Sequence, residues 1–507
     1  MAQQLQNITV AAPGFMGLNT QESPIGGDPS FASVADNCVI DKLGRIGARK
    51  GWEAVSSNGA AVLGSSRGIE AVFEYVKRDG TKIVFSAGNN KIFTGTSTLA
   101  AVTLPSGYSI SANNWKIVSF NNDVYFFQRG HAALVSVAGS TTLIAVADGG
   151  TAAPAANEVL AAYGRLWAAD ITANKYVVYW SDLLDGDDWH GGSSGSLDLT
   201  LVWPTGFDEV VALSAHNGFL IIFGKKSMIV YSGAAAPASM TLSDTIEGIG
   251  CIARDSVQHT GADILFLSDT GVRSLGRTIQ EKSLPLNDLS KNVRTDLTSL
   301  VPLQTNAIKS LYSADEAFYL LTLPDSDTTY CFDMRSPLQD GSQRATTWSG
   351  LHPLAFTTTE AGDIYFGLSS GIVKYSGYLD GTANYQMRYF SNPMDFGNAS
   401  NLKFLKKFNI TIIGGQNTKS TLNWGYDYST NFTKQVFTLT GSVNAGEYGV
   451  SEYNTTAEYT ATAIINTPKV NTSGNGEVVT IGLETEINDT SFSIQKIDIH
   501  AILGRLI

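Results

Sequence analysis

The feature that most constrains this chain is a repeat. Pairs of short strands of alternating polarity, joined by a Gly, Asn or Asp turn, begin at Asp79, Asn121, Tyr163, His216, Gly261, Ala314 and Ala361. The intervals are 42, 42, 53, 45, 53 and 47 residues. NNDVYFFQRGHAALV and HNGFLIIFGKKSMIVYSG show the plan: a turn, a strand rich in Val, Ile, Phe, Tyr or Leu, a second turn and a second strand. So small a sheet cannot bury both faces alone, whereas sheets stacked around an axis bury them against each other. The interval is the ~40–50 residues of a four-stranded propeller blade. The sequence therefore predicts an all-β fold with a six- or seven-bladed β-propeller over residues 61–382. The uneven spacing leaves the count open, because one pair could be an accessory hairpin outside the ring.

Outside the repeat the texture changes. Residues 383–507 carry longer alternating strands rich in Thr and Asn, such as KFLKKFNITIIGG and SFSIQKIDIHAI, and predict a C-terminal β-sandwich-like domain. Residues 1–60 are expected to be an N-terminal arm that needs a partner surface to become ordered. A short helix is expected in it, with Asp28 as N-cap, Pro29 at the first helical position, and Phe31, Val34, Ala35 and Cys38 on one face. A second helical stretch, 286–301, follows from Leu289, Val293, Leu297 and Leu300 and reads as an insertion decorating the ring.

Composition narrows the functional classes. Charged residues make up 16% of the 507, and the formal net charge is −12. Such a balance repels a nucleic-acid backbone and disfavours tight DNA binding. Cys38, Cys251 and Cys331 are isolated and odd in number, which suggests neither a disulfide framework nor a thiolate zinc site, and fits assembly in a reducing cytoplasm. The start, MAQQLQNITVAAPGF, lacks the basic and apolar regions of a signal peptide, and no window of ~18 apolar residues follows. A soluble protein without a cleaved export signal is expected.

Chemistry is hard to find. His131, His190, His216, His259, His352 and His500 fall in different repeats, without a second His or Cys at metal-ligand spacing. The nucleotide-binding loop G-x-x-x-x-G-K-[ST] and the metalloprotease helix H-E-x-x-H are missing from the sequence. Asp182, Asp185, Asp187 and Asp188 are dense enough to attract calcium, but the spacing is not that of an EF-hand, so a capped turn is the expected reading. Ser268-Asp-Thr-Gly271 faintly suggests a sialidase-type turn, yet Asp-x-Gly between strands is ordinary hairpin chemistry. Two basic clusters, Lys42, Arg45, Arg49 and Lys50, and Lys403, Lys406 and Lys407, are interleaved with acidic or apolar residues. A subunit contact or a solvated strand face is expected of them. Trp115, Trp167, Trp180, Trp203 and Trp348 are expected to pack between blades. No catalytic residue, metal or cofactor is assigned.

The block from Gly14 to Val55, GFMGLNTQESPIGGDPSFASVADNCVIDKLGRIGARKGWEAV, resembles the opening of tail nozzle proteins, or tail tubular proteins B, of short-tailed double-stranded DNA bacteriophages. Asn19, Pro24, Ala35, Asn37, Cys38, Gly44, Arg45, Arg49, Gly51 and Trp52 carry the match, and VVYWSDLLDGDDWH is similar to a blade element of the same proteins. The resemblance implies a non-enzymatic virion protein of the phage tail, assembled in the host cytoplasm. It implies a homohexamer below a tail adaptor ring protein, near tail fibre or spike proteins and the host cell envelope. Double-stranded DNA would pass its lumen without specific binding. Asn19, Pro24, Asn37, Arg45, Arg49 and Trp52 become the expected assembly contacts. The alternatives are a glycan-binding or glycan-cleaving propeller, or a protein-interaction propeller of a cellular complex.

Overall fold

In the computed structural model the repeat folds into sheets whose first strands line a common axis. The structure describes all residues except 1–4, 23–27, 66–67, 111–113, 149, 205, 282–287, 399, 441–464 and 505–507. Six four-stranded blades form a β-propeller: blade 1 (69–101), blade 2 (116–145), blade 3 (156–198), blade 4 (210–247), blade 5 (309–348) and blade 6 (355–375 with 52–54). A three-stranded sheet, 258–274, stands between blades 4 and 5. There the helix Leu275–Glu281 packs on the second and third strands where a fourth strand would follow.

An apolar seam fills each interface, which is what the alternating strands require. Phe85 meets Phe126 edge-on at 5.3 Å between blades 1 and 2. Phe127 meets Trp189 at 6.0 Å between blades 2 and 3. Trp348 stacks on Tyr375 at 5.6 Å between blades 5 and 6. Ile69 and Val72 close the ring against Ala355 and Ile372. Blade 6 takes its outer strand from the other end of the chain: Trp52–Ala54 runs antiparallel to Gly371–Tyr375, pairing Trp52 with Tyr375 and Ala54 with Val373.

The sandwich is built from both chain ends. Blade 5 continues, through Phe31–Asp36, Tyr385–Ser391, Val479–Ile487, Lys419–Tyr426 and Thr433–Thr438, into a ten-stranded sheet. The facing sheet holds Lys403–Gly414, Phe492–Leu503, Ile46–Ala48 and Cys38–Ile40, and Leu5–Ala11 pairs with Phe492–Leu503 along its whole length. Phe408 of one sheet meets Trp424 of the other at 6.4 Å within a single core.

Four expectations are corrected. The arm 1–60 is not a free arm, because its strands complete blade 6 and both sandwich sheets. The division at 383 fails for the same reason, since the blade 5 sheet runs on into the sandwich. The helix after Asp28 is the strand Phe31–Asp36; a bulge between Ala32 and Val34 shifts its register and imitates helical spacing. Within 286–301, Arg294–Leu300 is helical, and Leu289, Val293 and Leu297 are buried in a core shared by the three-stranded sheet, blade 5 and the sandwich, so the segment is packed into the body rather than decorating it.

Deleting residues 1–55 would expose the edge of blade 6 and remove five sandwich strands, the short Gly17–Leu18 among them. The truncated chain is expected to show no cooperative unfolding transition by circular dichroism or calorimetry. A soluble, cooperatively melting product would contradict this topology.

Candidate functional site

The residues singled out in the opening block converge where the propeller meets the sandwich. Asn37 sits at φ 54°, a left-handed turn that Asn tolerates, between the strand leaving blade 5 and the strand entering the opposite sheet. Its amide N–H donates to Thr347 O (2.7 Å) and its Nδ2 to Gln386 O (2.8 Å). Its Oδ1 accepts from Ser349 N (3.2 Å) and from Arg49 Nε (2.8 Å). Arg49 is fully buried and forks onto Asp380, Nη1 to Oδ1 at 2.8 Å and Nη2 to Oδ2 at 2.7 Å. Its guanidinium lies 4.2 Å from the Tyr385 ring centre and 6.0 Å from that of Trp348. Trp348 Nε1 and Thr346 Oγ1 both donate to Cys38 O. The clasp thus ties two blades, the linker at Asp380 and both sandwich sheets.

The remaining block residues also face inward. Asn19 is buried and its Oδ1 accepts from the backbone of Gln21 and Glu22, a local cap. Arg45 Nε donates to Asp41 Oδ2 at 2.6 Å. Trp52, half-buried, packs against Gly381 (φ +68°), where a Cβ would touch the indole. Pro24 lies outside the described residues. Asn19, Asn37 and Arg49 are thus engaged in internal bonds rather than displayed as the expected assembly contacts, Arg45 is bonded to Asp41 at the wall of a cleft, and Trp52 is mainly a closing-strand residue.

Beside the clasp opens a cleft of about 660 Å³ between propeller and sandwich. Lys42, Arg45, Lys50 and Arg335 line it with Asp41 and Glu316, over Phe318, Tyr378 and Phe492. Lys50 pairs with Glu316 at 2.5 Å, and Arg335 Nη1 donates to Ile40 O at 2.7 Å. The first basic cluster is thus split, with Arg49 in the clasp and the others on the cleft wall. In the second, Lys403 is buried and donates to Asn398 O, while Lys406 lies on the exposed side of the same strand.

A group that sequence reasoning missed occupies the propeller axis. Arg254 donates to Asn157 O (2.5 Å), Asn114 Oδ1 (3.0 Å) and Asp255 Oδ2 (2.6 Å). Lys309 Nζ reaches Asn114 Oδ1 and Asp255 Oδ2, each at 2.7 Å. Lys116 lies 3.5 Å from Glu158 and 3.6 Å from Asp255. Burial alone would raise the Asp255 carboxyl, but Arg254, Lys309 and Lys116 hold it well below the ordinary range. At Glu158 burial prevails and raises the carboxyl; at Lys309 it lowers the ammonium. These residues sit at or beside the first strands of four different blades or sheets, so only ring closure brings them together. A charge at the innermost strand of successive repeats was the available signal.

The other sequence candidates are structural where described. Asp182 accepts from Ser193 N and Oγ, Asp185 from Asp187 N, and Asp188 from His190 N and Gly191 N, as capped turns do. Asp148, Asp188 and His190 place ligand atoms within 4.8 Å of one another, the one such grouping among the described residues. His259 bonds Ser214 Oγ (2.9 Å), His352 pairs with Asp327 (2.5 Å), and His500 bonds Asn409 (3.0 Å). Ser268 and Thr270 accept from Arg273 in an internal turn. Trp115, Trp167, Trp180, Trp203 and Trp348 are buried, as are all three cysteines.

No protein-family model and no curated protein sequence matches the chain. Among solved structures it is similar to the computationally designed Ika8 protein, at 13% identity and a TM-score of 0.37, over 60% of this chain and 82% of that one. It is also similar to the WD40 β-propeller domain of Doa1 (10%, TM-score 0.39, 64% and 96%). The Pan2 WD40 domain of Neurospora crassa is a third (9%, TM-score 0.36, 67% and 96%). These are likenesses of fold.

Two substitutions test the buried charges. Arg49→Met leaves Asp380 without its partner and is expected to cost about 3 kcal/mol or more in urea unfolding. Asp255→Asn leaves Arg254 and Lys309 without their counter-charge, and a loss of about 3–5 kcal/mol is expected at pH 7. Asp255 has a depressed carboxyl in the folded state. Its contribution is complete above the unfolded value of ~4 and is lost as pH falls from there towards the folded value. The gap between wild type and Asp255→Asn should therefore narrow below about pH 4.

Proposed function

We propose that the chain is a structural, non-catalytic virion subunit: the distal nozzle of a short phage tail. Six copies would form a ring attached to an adaptor ring, with fibre or spike proteins nearby, and double-stranded DNA would leave through the lumen between them. The observation that supports this best is the use made of the opening block. Three of the residues that resemble the nozzle family's start, Asn37, Cys38 and Arg49, form the clasp that locks propeller and sandwich into one body. A subunit that bears load in a ring gains from such rigidity.

The axial ion network adds a constraint. Arg254, Asp255, Lys309 and Lys116 bridge the first strands around the propeller's own axis and leave there a cavity of about 220 Å³, which has no room for a duplex. A passage for a ~20 Å duplex must lie between copies. A net charge of −12 per copy limits adhesion of DNA to the wall. In this reading assembly takes place in the host cytoplasm.

Negative-stain micrographs of the purified or virion-associated protein are expected to show six-fold rings with an open centre. A monomer at all concentrations, with binding on a glycan array, would replace this reading by that of a carbohydrate-binding propeller.

A further inference from the structure

In the segment SDLLDGDDW the carboxylates of Asp182, Asp185 and Asp188 are engaged in turns, and two leucine side chains remain largely exposed. Leu183 is 53% exposed and Leu184 60% exposed. Leu184 is held at φ 58°, a conformation unfavourable for a leucine, by its N–H donating to Gly164 O (2.8 Å) and its carbonyl accepting from Asn121 Nδ2 (2.9 Å). Both side chains lie over the turn at Tyr163 and Gly164, whose tyrosine hydroxyl donates to the carbonyl of the part-exposed Phe219 (2.8 Å). The loop is rigid: Trp189 is buried with Nε1 on Gly186 O, and Arg165 Nη1 donates to Ser181 O. The outcome is an apolar knob with four carboxylates, Asp182, Asp185, Asp187 and Asp188, in its own loop.

The cleft beside the clasp is the complement. Its lining carries Lys42, Arg45, Lys50 and Arg335 over an aromatic floor; Arg45, Lys50 and Arg335 are paired with Asp41, Glu316 and Asp333, and the exposed Lys42 adds a positive charge at the rim. The two features also lie on opposite sides of the molecule. Blade 4 and the three-stranded sheet separate the knob on blade 3 from blade 5, and blades 2 and 1 separate it from blade 6. Both lie toward the face that carries the turns between first and second strands, Tyr163–Gly164 for the knob and the turn with Glu316 for the cleft. Two unlike, complementary patches across a body are what a head-to-tail contact between identical copies needs.

We propose that the knob of one copy, Leu183 and Leu184 with their acidic rim, seats in the propeller–sandwich cleft of the next copy. This rests on the ring reading and supplies its subunit contact. The apolar pair gives affinity once buried, and the opposed charges set orientation and on-rate. The association is therefore expected to weaken with added salt.

Mixing a Leu184→Cys protein with a separate Lys42→Cys protein, each carrying only buried native cysteines, tests the contact under mild oxidation. A disulfide-linked pair is expected from the mixture and from neither protein alone. Gln416→Cys and Ser491→Cys, elsewhere on the cleft, provide alternatives should Lys42 sit too far from the seated knob. Leu184→Asp should weaken self-association at least about 10-fold by sedimentation, with the melting curve unchanged because the side chain is exposed. No cross-link from any of the three cleft positions, or undiminished association of Leu184→Asp, overturns the proposal. Six-fold rings that persist in Leu184→Asp would refute the contact and keep the ring. Association lost in Leu184→Asp but never giving closed rings in wild type would keep the contact and refute the nozzle reading.

Discussion

The structure depends on one buried cation. Arg49 is fully buried, and its charge is met by Asp380, the Asn37 carboxamide oxygen, the Lys50 carbonyl and the Tyr385 and Trp348 rings. Those partners come from the N-terminal segment, from blade 5 and from the link between propeller and sandwich. Satisfying the arginine therefore fixes the relative position of the two parts. An ammonium could not replace it, because a point charge cannot fork onto a carboxylate while stacking on an aromatic face. Asn37 holds the other half of the joint. Its left-handed backbone lets the chain leave one sandwich sheet and enter the other while its side chain bonds the arginine.

The axis of the propeller follows a different rule. There the charges compensate one another: two cations share the Asp255 carboxylate and a third approaches it. Such a network contributes little over an apolar plug when complete, but it is costly to break. It bridges the axis, and it makes the first strands of distant blades depend on each other. A propeller whose sheets contact only their neighbours gains, at its axis, contacts between sheets that are not neighbours.

The repeat was legible because blade packing imposes it locally. Each strand pair must carry its own apolar faces, so the interval survives in the sequence, as does the alternation of Phe492–Leu503. What was not legible depends on long-range pairing. Phe31–Asp36 reads as a helix because one bulge moves Val34 off the two-residue period. Trp52–Ala54 looks like part of an arm because its partner lies about 320 residues away, at Val373–Tyr375. Arg49 and Arg45 look alike as members of a basic cluster, yet one is sealed in the clasp and the other pairs with Asp41 at the cleft. Charge type is visible in a sequence, while burial of a charge depends on residues hundreds of positions away. The axial group was hidden for that reason.

Blade 6 has a consequence for how the molecule is made. Its outer strand emerges among the first residues of the chain, while the three strands it joins come after position 354. Leu5–Ala11 waits longer still, for a partner that ends at Leu503. During synthesis Trp52–Ala54 must remain unpaired until Val373–Tyr375 has emerged, and Leu5–Ala11 until Lys496–Ile502 has, so ring and sandwich both close late. A prematurely terminated chain would keep an open ring and bare strand edges, which are features that quality-control machinery and proteases recognise.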